Sequence, residues 1–257
     1  KNASQELKAA LLQVLNKKVK GIIMDLRNDP GGLLDVAVEV SDQFIREGLI
    51  VSIKPREDTL SYNSFLKKEF YATGNNVVPV NLPLVVLVNS GSASASEIFA
   101  GAIKDHKRGI LIGTKTFGKG SVQSVINLDA GYGLRFTTAY YYTPAGIKIH
   151  QIGIEPDIEI ELPQLSKEEV KQAKRLIDEK IIEDFVKKNK LPTEKETDSL
   201  MDDLKNRNID LNKMIVKRMI RQEQYKDKKE PLYDLSFDTQ LKMAIEIINA
   251  ELIFKKQ

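Results

Sequence analysis

The sequence predicts an α/β core over residues 1–163 and a charged, all-helical extension over residues 164–257. All fifteen glycines lie between Gly21 and Gly153. Up to about Pro163, short β-rich runs alternate with helical patterns, and beyond it the sequence is helical and rich in charge. With 257 residues, of which 42% are apolar, the chain can bury a proper core. We therefore expect a globular α/β protein with a helical addition.

Within the core, the alternation of strands and helices is typical of crossover units built on a parallel sheet. The runs GIIMDL and LPLVVLV lack polar alternation, so we expect both to be buried strands. Residues 121–162 contain four successive strand patterns, with the turns DAGYG and TPAG between them: SVQSVINL, GLRFTTAYYYT, IKIHQI and DIEIEL. Residues 56–80 interrupt the sheet, either as a β-hairpin or as a flexible flap.

The extension begins with a capping box from Ser166 to Glu169, which predicts a helix to about Lys190. Further helices are predicted over residues 194–206, 209–225 and 237–254. The last of these carries an apolar stripe at helical spacing, which we expect to pack on the core or on a second subunit.

Composition argues against several kinds of function. The net charge is only +3 among 39 basic and 36 acidic side chains, so the overall charge gives no support to nucleic-acid binding. The absence of cysteine excludes disulfides, thiol nucleophiles and cysteine metal sites. Two histidines leave little material for a metal cage, and no P-loop is present, so we expect no metal and no cofactor. No apolar run approaches the roughly 20 residues of a membrane-spanning helix.

Three serines on alternate positions, in GSASASEIF, precede a helical pattern and follow the buried run LPLVVLVN. Ser94 and Glu97 fit a capping box, in which the hydroxyl would serve only the start of the helix. The same place suits a nucleophile, because a helix N-terminus offers unpaired N–H donors to a developing oxyanion. Open α/β sheets also place their sites at the carboxyl ends of strands. Both interpretations remain open on this pattern.

A serine nucleophile needs a base, and neither histidine lies in a convincing triad context. His106 ends a helix in KDHKR, and His150 lies in a turn region. A desolvated lysine can be neutral enough to take the hydroxyl proton. Lys119 differs from the lysines of solvated helix faces because it lies between two glycines in KTFGKGSVQ, at a loop-to-strand boundary. Gln123 follows four residues later, a separation of roughly 13 Å in an ideal strand. A Gly-Lys-Gly segment also fits an ordinary turn, so the motif alone leaves this second interpretation of Lys119 open.

The turn DLRNDPGG, residues 25–32, ends a predicted strand. Its glycines present bare backbone N–H groups, which makes it either a second oxyanion donor or an ordinary strand-to-helix turn.

Four motifs occur together and in order in this chain: DLRNDPGGLL, NSGSASASEIFAGAIKDHKRG, GTKTFGKGSVQ and YYYTPAGIKIHQIGIEPDI. Through them, residues 1–163 resemble the C-terminal processing peptidases, also called tail-specific proteases. The resemblance implies a serine-type endopeptidase with a Ser–Lys dyad, on the sheet-and-helix core of the Clp-protease/crotonase superfold. It assigns the nucleophile to Ser94, the general base to Lys119 and a lysine-orienting role to Gln123.

The same resemblance implies an oxyanion hole formed by the backbone N–H groups of Ala95 and of Gly31 or Gly32. Ser92 and Ser96 are then expected to support the turn and the first helical residues.

The resemblance also implies partners and a location. Protein or peptide substrates with apolar C-terminal tails are expected, as is a periplasmic or otherwise extracytoplasmic location. A homodimer and a peripheral association with a membrane are further expectations. Family members place a PDZ module, which captures a substrate's C-terminal carboxylate by strand addition, and a leading strand before the segment that corresponds to KNASQELKAALLQVL. We expect this chain to lack both.

Two other functions remain open. A non-catalytic binding protein can share the superfold, because a fold does not guarantee its reaction. A crotonase-like acyl-CoA enzyme would use the same oxyanion hole, but it gives no role to a serine and lysine pair. The joint presence of Ser94, Lys119 and Gln123 favours the peptidase.

Overall fold

The computed structural model describes residues 2–56, 67–127, 132–161, 165–227, 233–235 and 237–254. The helices within these residues are α1 (Ala3–Asn16), α2 (Leu34–Asp42), α3 (Ala95–Asp105), α4 (Lys167–Asp178), α5 (Ile181–Lys188), α6 (Glu194–Asn206), α7 (Lys213–Tyr225) and α8 (Thr239–Phe254). The strands are β1 (Ile22–Asp25), β2 (Leu49–Pro55), β3 (Lys68–Tyr71), β4 (Leu84–Val88), β5 (Ile110–Gly113), β6 (Ser121–Asn127), β7 (Gly133–Tyr142) and β8 (Ile158–Glu159).

The chain divides into two compact units. The first comprises Lys1–Glu161 together with Gln240–Gln257, and the second comprises Leu162–Thr239. We call the second the helical unit. The boundary after Glu161 lies beside the predicted one at residue 163, but α8 belongs to the first unit and not to the extension with which the sequence analysis grouped it. The reason is its apolar stripe, which packs on the sheet of the first unit.

The first sheet is parallel and has the strand order β1-β4-β5-β8. This confirms the predicted α/β core with crossover connections. The run LPLVVLV supplies β4, all five residues of which are buried between two neighbouring strands. The run GIIMDL supplies β1, which is only partly buried because it lies at the edge of the sheet.

The second sheet is antiparallel and has the order β3-β2-β7-β6. Strand β2 ends directly before the predicted excursion and pairs with β3, which lies inside it, in agreement with the hairpin interpretation. Residues 57–66 of that excursion lie outside the described residues. The strand expected in IKIHQI is reduced to one isolated bridge, between Tyr142 and Lys148.

Helices cover both faces of the parallel sheet. Alternate residues of β4 point to opposite faces. Leu84 and Val86 join the main core with Phe99 of α3. Val85 and Leu87 pack instead with Ala244, Ile248 and other apolar residues of α8. This arrangement satisfies the requirement of a parallel sheet for apolar cover on both sides.

The helical unit packs α4 to α7 around buried residues that include Leu176, Leu204 and Val216. The capping box at Ser166 begins α4 as predicted, but the helix expected to continue to Lys190 is interrupted at Lys180, whose φ of 55° places it in the left-handed region. Across the described residues, none of the helices has the length and apolar character needed to cross a bilayer.

Candidate active site

Ser94 lies directly before α3, in a backbone conformation that a residue with a side chain rarely adopts. Its φ and ψ are 59° and −114°. Such strain costs about 1–3 kcal/mol and persists only where the surrounding structure holds it in place. Ser94 occupies the first position of a capping box with Glu97, but its side chain makes no regular capping hydrogen bond, and the residue is half-buried. The hydroxyl is therefore not held by a regular helix cap, which leaves it available for chemistry.

The Glu97 carboxylate accepts hydrogen bonds both from Ser94 and from the loop at residues 114–120, which carries Lys119 and is called the lysine loop below. Its carboxylate is fully buried. Oε2 accepts the backbone N–H of Ser94 at 2.8 Å and the backbone N–H of Lys119 at 2.7 Å. Oε1 accepts the backbone N–H of Gly118 at 2.7 Å and the Thr116 hydroxyl at 2.5 Å. Ser94 and Lys119, which are 25 positions apart in the sequence, thus meet on one carboxylate oxygen.

The sequence pattern predicts only a capping role for Glu97. That role is real, since its carboxylate accepts the Ser94 N–H. The additional signal was its position in SEIFAGAI, where a carboxylate lies inside a run that is otherwise apolar or small. A buried carboxylate must be hydrogen-bonded or paired, so this position requires donors from elsewhere in the fold.

The turn at residues 25–32, called the glycine turn below, approaches the start of α3 closely. Gly31 has a φ of +82°, and a Cβ there would lie 2.4 Å from Ala93 O and 2.6 Å from Ala95 N. The Gly31 N–H donates to Asp29 Oδ1 at 3.0 Å and so is occupied. Within the described part of the chain, the backbone N–H groups of Gly32 and Ala95 make no hydrogen bond. Of the two glycines proposed for the oxyanion hole, Gly32 is the one with a free donor.

Ser92 and Ser96, which flank Ser94, hold the glycine turn against the segment that carries Ser94. The Ser92 hydroxyl accepts the backbone N–H of Asn89 at 3.0 Å and donates to Leu26 O at 2.7 Å. The Ser96 hydroxyl donates to Asp29 Oδ2 at 2.8 Å. Both serines therefore have structural partners.

The lysine loop depends on the two glycines beside Lys119. Gly118 has a φ of +87°, and a Cβ at Gly120 would lie 2.5 Å from His150 N. A positive φ at Gly118 and a close backbone approach at Gly120 both favour glycine over a residue with a side chain. The Lys119 side chain itself is exposed to solvent.

Gln123 lies on β6, opposite Thr137 of β7. Its Nε2 donates to Thr137 Oγ1 at 2.7 Å, and its Oε1 accepts from Arg135 Nε at 3.1 Å. Both ends of the amide thus have cross-strand partners. The lysine-orienting role of Gln123 stays a prediction.

An apolar pocket of about 230 Å³ opens beside the free N–H groups. Its lining includes Gly32 and Ala95. The apolar side chains around it come from β1, α2 and α3 and the residues next to them: Met24, Leu26, Leu33, Val36, Ala37, Val40 and Phe99. The pocket can therefore hold an apolar side chain next to a carbonyl group bound at the two donors.

The chain is similar in sequence to proteins named as carboxy-terminal-processing proteases. The carboxy-terminal-processing protease of Bartonella bacilliformis is 46% identical over 164 residues, covering 62% of this chain and 36% of that protein. The carboxyl-terminal-processing protease of Synechocystis sp. is 43% identical over 169 residues, covering 66% and 38% respectively. A solved structure of a photosystem II D1 C-terminal processing protease aligns with a TM-score of 0.55 at 39% identity, covering 62% of this chain and 39% of that one.

The chain thus spans less than two fifths of the length of these relatives. Residues 1–160, which include every residue of the candidate site, match the peptidase S41 family. The resemblance inferred from the four motifs is confirmed, and the chain belongs to peptidase family S41.

Proposed function

We propose that this chain carries the catalytic centre of a serine endopeptidase, in which Ser94 is the nucleophile and Lys119 the general base. The main support is the Glu97 oxygen shared by the backbone N–H groups of both residues. Membership of family S41 and relatives named as processing proteases support the same reaction.

In this proposal, Ser94 Oγ attacks the carbonyl carbon of a peptide bond while its proton passes to Lys119 Nζ. The negative charge that develops on the carbonyl oxygen is stabilised by the N–H groups of Ala95 and Gly32. When the intermediate collapses, the departing amine takes the proton from Lys119. Water, activated by the same lysine, then hydrolyses the ester on Ser94 and regenerates the hydroxyl.

The exposure of Lys119 places a requirement on the substrate. A lysine acts as a base only in its neutral form, and contact with water favours the charged form. We propose that a bound peptide covers the Lys119 side chain and excludes water from it. The arrangement described above then corresponds to an enzyme that becomes fully competent on binding.

The apolar pocket suggests the substrate. It adjoins Gly32 and Ala95, so it would take the side chain next to the bond that is cut. We propose apolar residues at this position, near the C-terminal tail of a protein, in keeping with the names of the relatives. The homodimer, the membrane association and the extracytoplasmic location stay predictions.

The test uses a serine-reactive phosphonate probe and cleavage of a peptide series by the purified chain. Wild type should be labelled at Ser94, and Ser94→Ala should lose both labelling and cleavage. Lys119→Met and Lys119→Arg should be folded and inactive, because methionine has no base and guanidinium holds its proton. Lys115→Met is the matched control: Lys115 is exposed in the same loop and pairs with Glu155 at 2.7 Å, so its loss should leave cleavage unchanged.

Three results would count against the proposal. Cleavage near the wild-type rate by Lys119→Met would remove the lysine from the role of base. A folded wild type that takes no label would favour the non-catalytic binding protein. Equal cleavage of peptides with leucine and with aspartate before the scissile bond would remove the apolar pocket from substrate selection.

A further inference from the structure

We propose that Gln240, the second residue of α8, is a positioning residue for the oxyanion hole. It acts through Arg27, which directly precedes the loop formed by residues 28–32. The inference rests on the proposed function, in which Gly32 of this loop donates to the oxyanion. The conformation of this loop then depends on Gln240, which lies where the chain returns from the helical unit.

Gln240 is 1% exposed, and both ends of its amide are engaged. Oε1 accepts a hydrogen bond from Arg27 Nη1 at 3.1 Å. Nε2 donates to Ile160 O at 2.6 Å. Because a buried amide with a donor partner on one side and an acceptor partner on the other has a single favourable orientation, Gln240 fixes the position of the guanidinium group.

Arg27 is also held from the other side. Its Nε donates to Asp25 Oδ1 at 2.9 Å and its Nη2 to Asp25 Oδ2 at 2.6 Å. This two-point contact matches the planar guanidinium to the carboxylate. The Arg27 side chain is 14% exposed. Arg27 is therefore held between Asp25, the last residue of β1, and Gln240, in the first turn of α8.

The loop that follows contains two residues with positive φ, of which only Asn28 carries a side chain that disfavours this conformation. Asn28 has a φ of 59°, and its N–H donates to Asn89 Oδ1 at 2.9 Å. Two residues beyond Asp29, Gly31 has a φ of +82° and is held by the Asp29 carboxylate. Asn28 keeps its conformation only where surrounding contacts fix it. Gln240 supplies one such contact indirectly, through Arg27, the residue before the loop.

Gln240 also links the two chain segments that flank the helical unit in the sequence. Ile160 and Gln240 stand on the two sides of Leu162–Thr239 in the sequence. The bond between Gln240 Nε2 and Ile160 O joins the two chain segments from which the helical unit departs and to which it returns. Because the same amide contacts Arg27, a displacement of either segment would reach the oxyanion loop through a chain of specific contacts.

The test compares three variants. Gln240→Leu removes both hydrogen bonds at similar side-chain size. Gln240→Glu keeps an oxygen that can accept from Arg27 and removes the amide donor to Ile160. Ile248→Ala is the control, because it loosens the packing of α8 on the sheet without contacting Arg27. For each variant, kcat and KM are measured on one peptide, and amide hydrogen exchange is followed in a fragment covering residues 26–33.

For Gln240→Leu we expect kcat to fall about tenfold with KM unchanged, since oxyanion stabilisation acts in the transition state. Exchange in residues 26–33 should become faster. Gln240→Glu should retain most of kcat. Ile248→Ala should lower the Tm while leaving kcat and exchange in this fragment as in wild type.

The proposal is overturned if Gln240→Leu leaves exchange in residues 26–33 unchanged, or if Ile248→Ala reduces kcat as much. A wild type without peptidase activity would refute the proposed function alone, because the exchange comparison would still decide whether Gln240 holds the loop.

Discussion

The backbone N–H groups of Ser94 and Lys119 donate to the same atom, Oε2 of Glu97, at 2.8 and 2.7 Å. One buried carboxylate therefore sets the position of the serine, at the start of α3, relative to the loop that carries the proposed base. The other oxygen of Glu97 receives two further donors, so four hydrogen bonds stabilise its charge inside the first unit.

Glu97→Gln should impair both stability and activity. One carboxylate oxygen becomes an NH₂ group that faces N–H donors, which leaves buried donors unpaired. We expect a loss of about 3 kcal/mol in the free energy of unfolding, measured by urea denaturation. The displaced loops should lower kcat by about 100-fold. Glu155→Gln is the control, since Glu155 is exposed and pairs only with Lys115 among the described ion pairs. Wild-type kcat in Glu97→Gln would show that the shared carboxylate does not set the geometry.

Three glycine-to-alanine changes separate backbone strain from steric clash. At Gly31 both apply, because φ is +82° and a Cβ would lie 2.4 Å from Ala93 O. At Gly146 only the φ of +81° applies, and at Gly32 neither does. We expect Gly32→Ala to be within about 0.5 kcal/mol of wild type, Gly146→Ala to cost about 1 kcal/mol and Gly31→Ala to cost about 3 kcal/mol or more. Denaturation midpoints decide the order, and equal costs at Gly31 and Gly146 would contradict the close approach.

Acid should weaken an ion pair of the helical unit. Glu194 of α6 contacts Lys213 and Lys217 of α7 at 2.6 and 2.7 Å. Hydrogen bonds from Lys213 and then Lys217 lower the pKa of Glu194 from 4.5 to about 2. Because the folded pKa is the lower one, the stabilisation is complete above 4.5 and is lost as the pH falls through about 2.

The measurement is the difference in Tm between wild type and Glu194→Gln across this pH range. We expect a difference at neutral pH that shrinks between pH 4.5 and about 2. It should also shrink in high salt, because the carboxylate is exposed. An NMR titration that gives Glu194 its ordinary pKa of 4.5 would contradict the prediction.

Local pattern predicted most of the elements and named candidate residues for the site, but not every contact between them. The apolar run of β4 and the capping box of α4 each identify an element because the signal lies within a few residues. The stripe on α8 identified a buried face, but periodicity does not say which surface covers it.

The same limit applies to the site. Short motifs made Ser94 and Lys119 candidates, and the family resemblance of those motifs assigned their roles. The part played by Glu97 could not, because it depends on a loop about twenty residues further along the chain folding back onto α3. The partners of Gln123 depend on the pairing register of β6 and β7, which shifts between Val122 and Gln123.

The first unit is built from two stretches of chain that are separated by the whole helical unit. A ribosome makes Val85, Leu87 and Ile112 long before the residues of α8 that cover them. During that interval the helical unit can fold, because it has a core of its own. One face of the parallel sheet stays exposed to solvent until α8 is available to cover it. Packing of Ile248 against this sheet brings together residues that are far apart in the sequence, and such contacts form slowly. In a nascent chain, the glycine turn thus lacks its contact with Gln240 until translation has passed the helical unit.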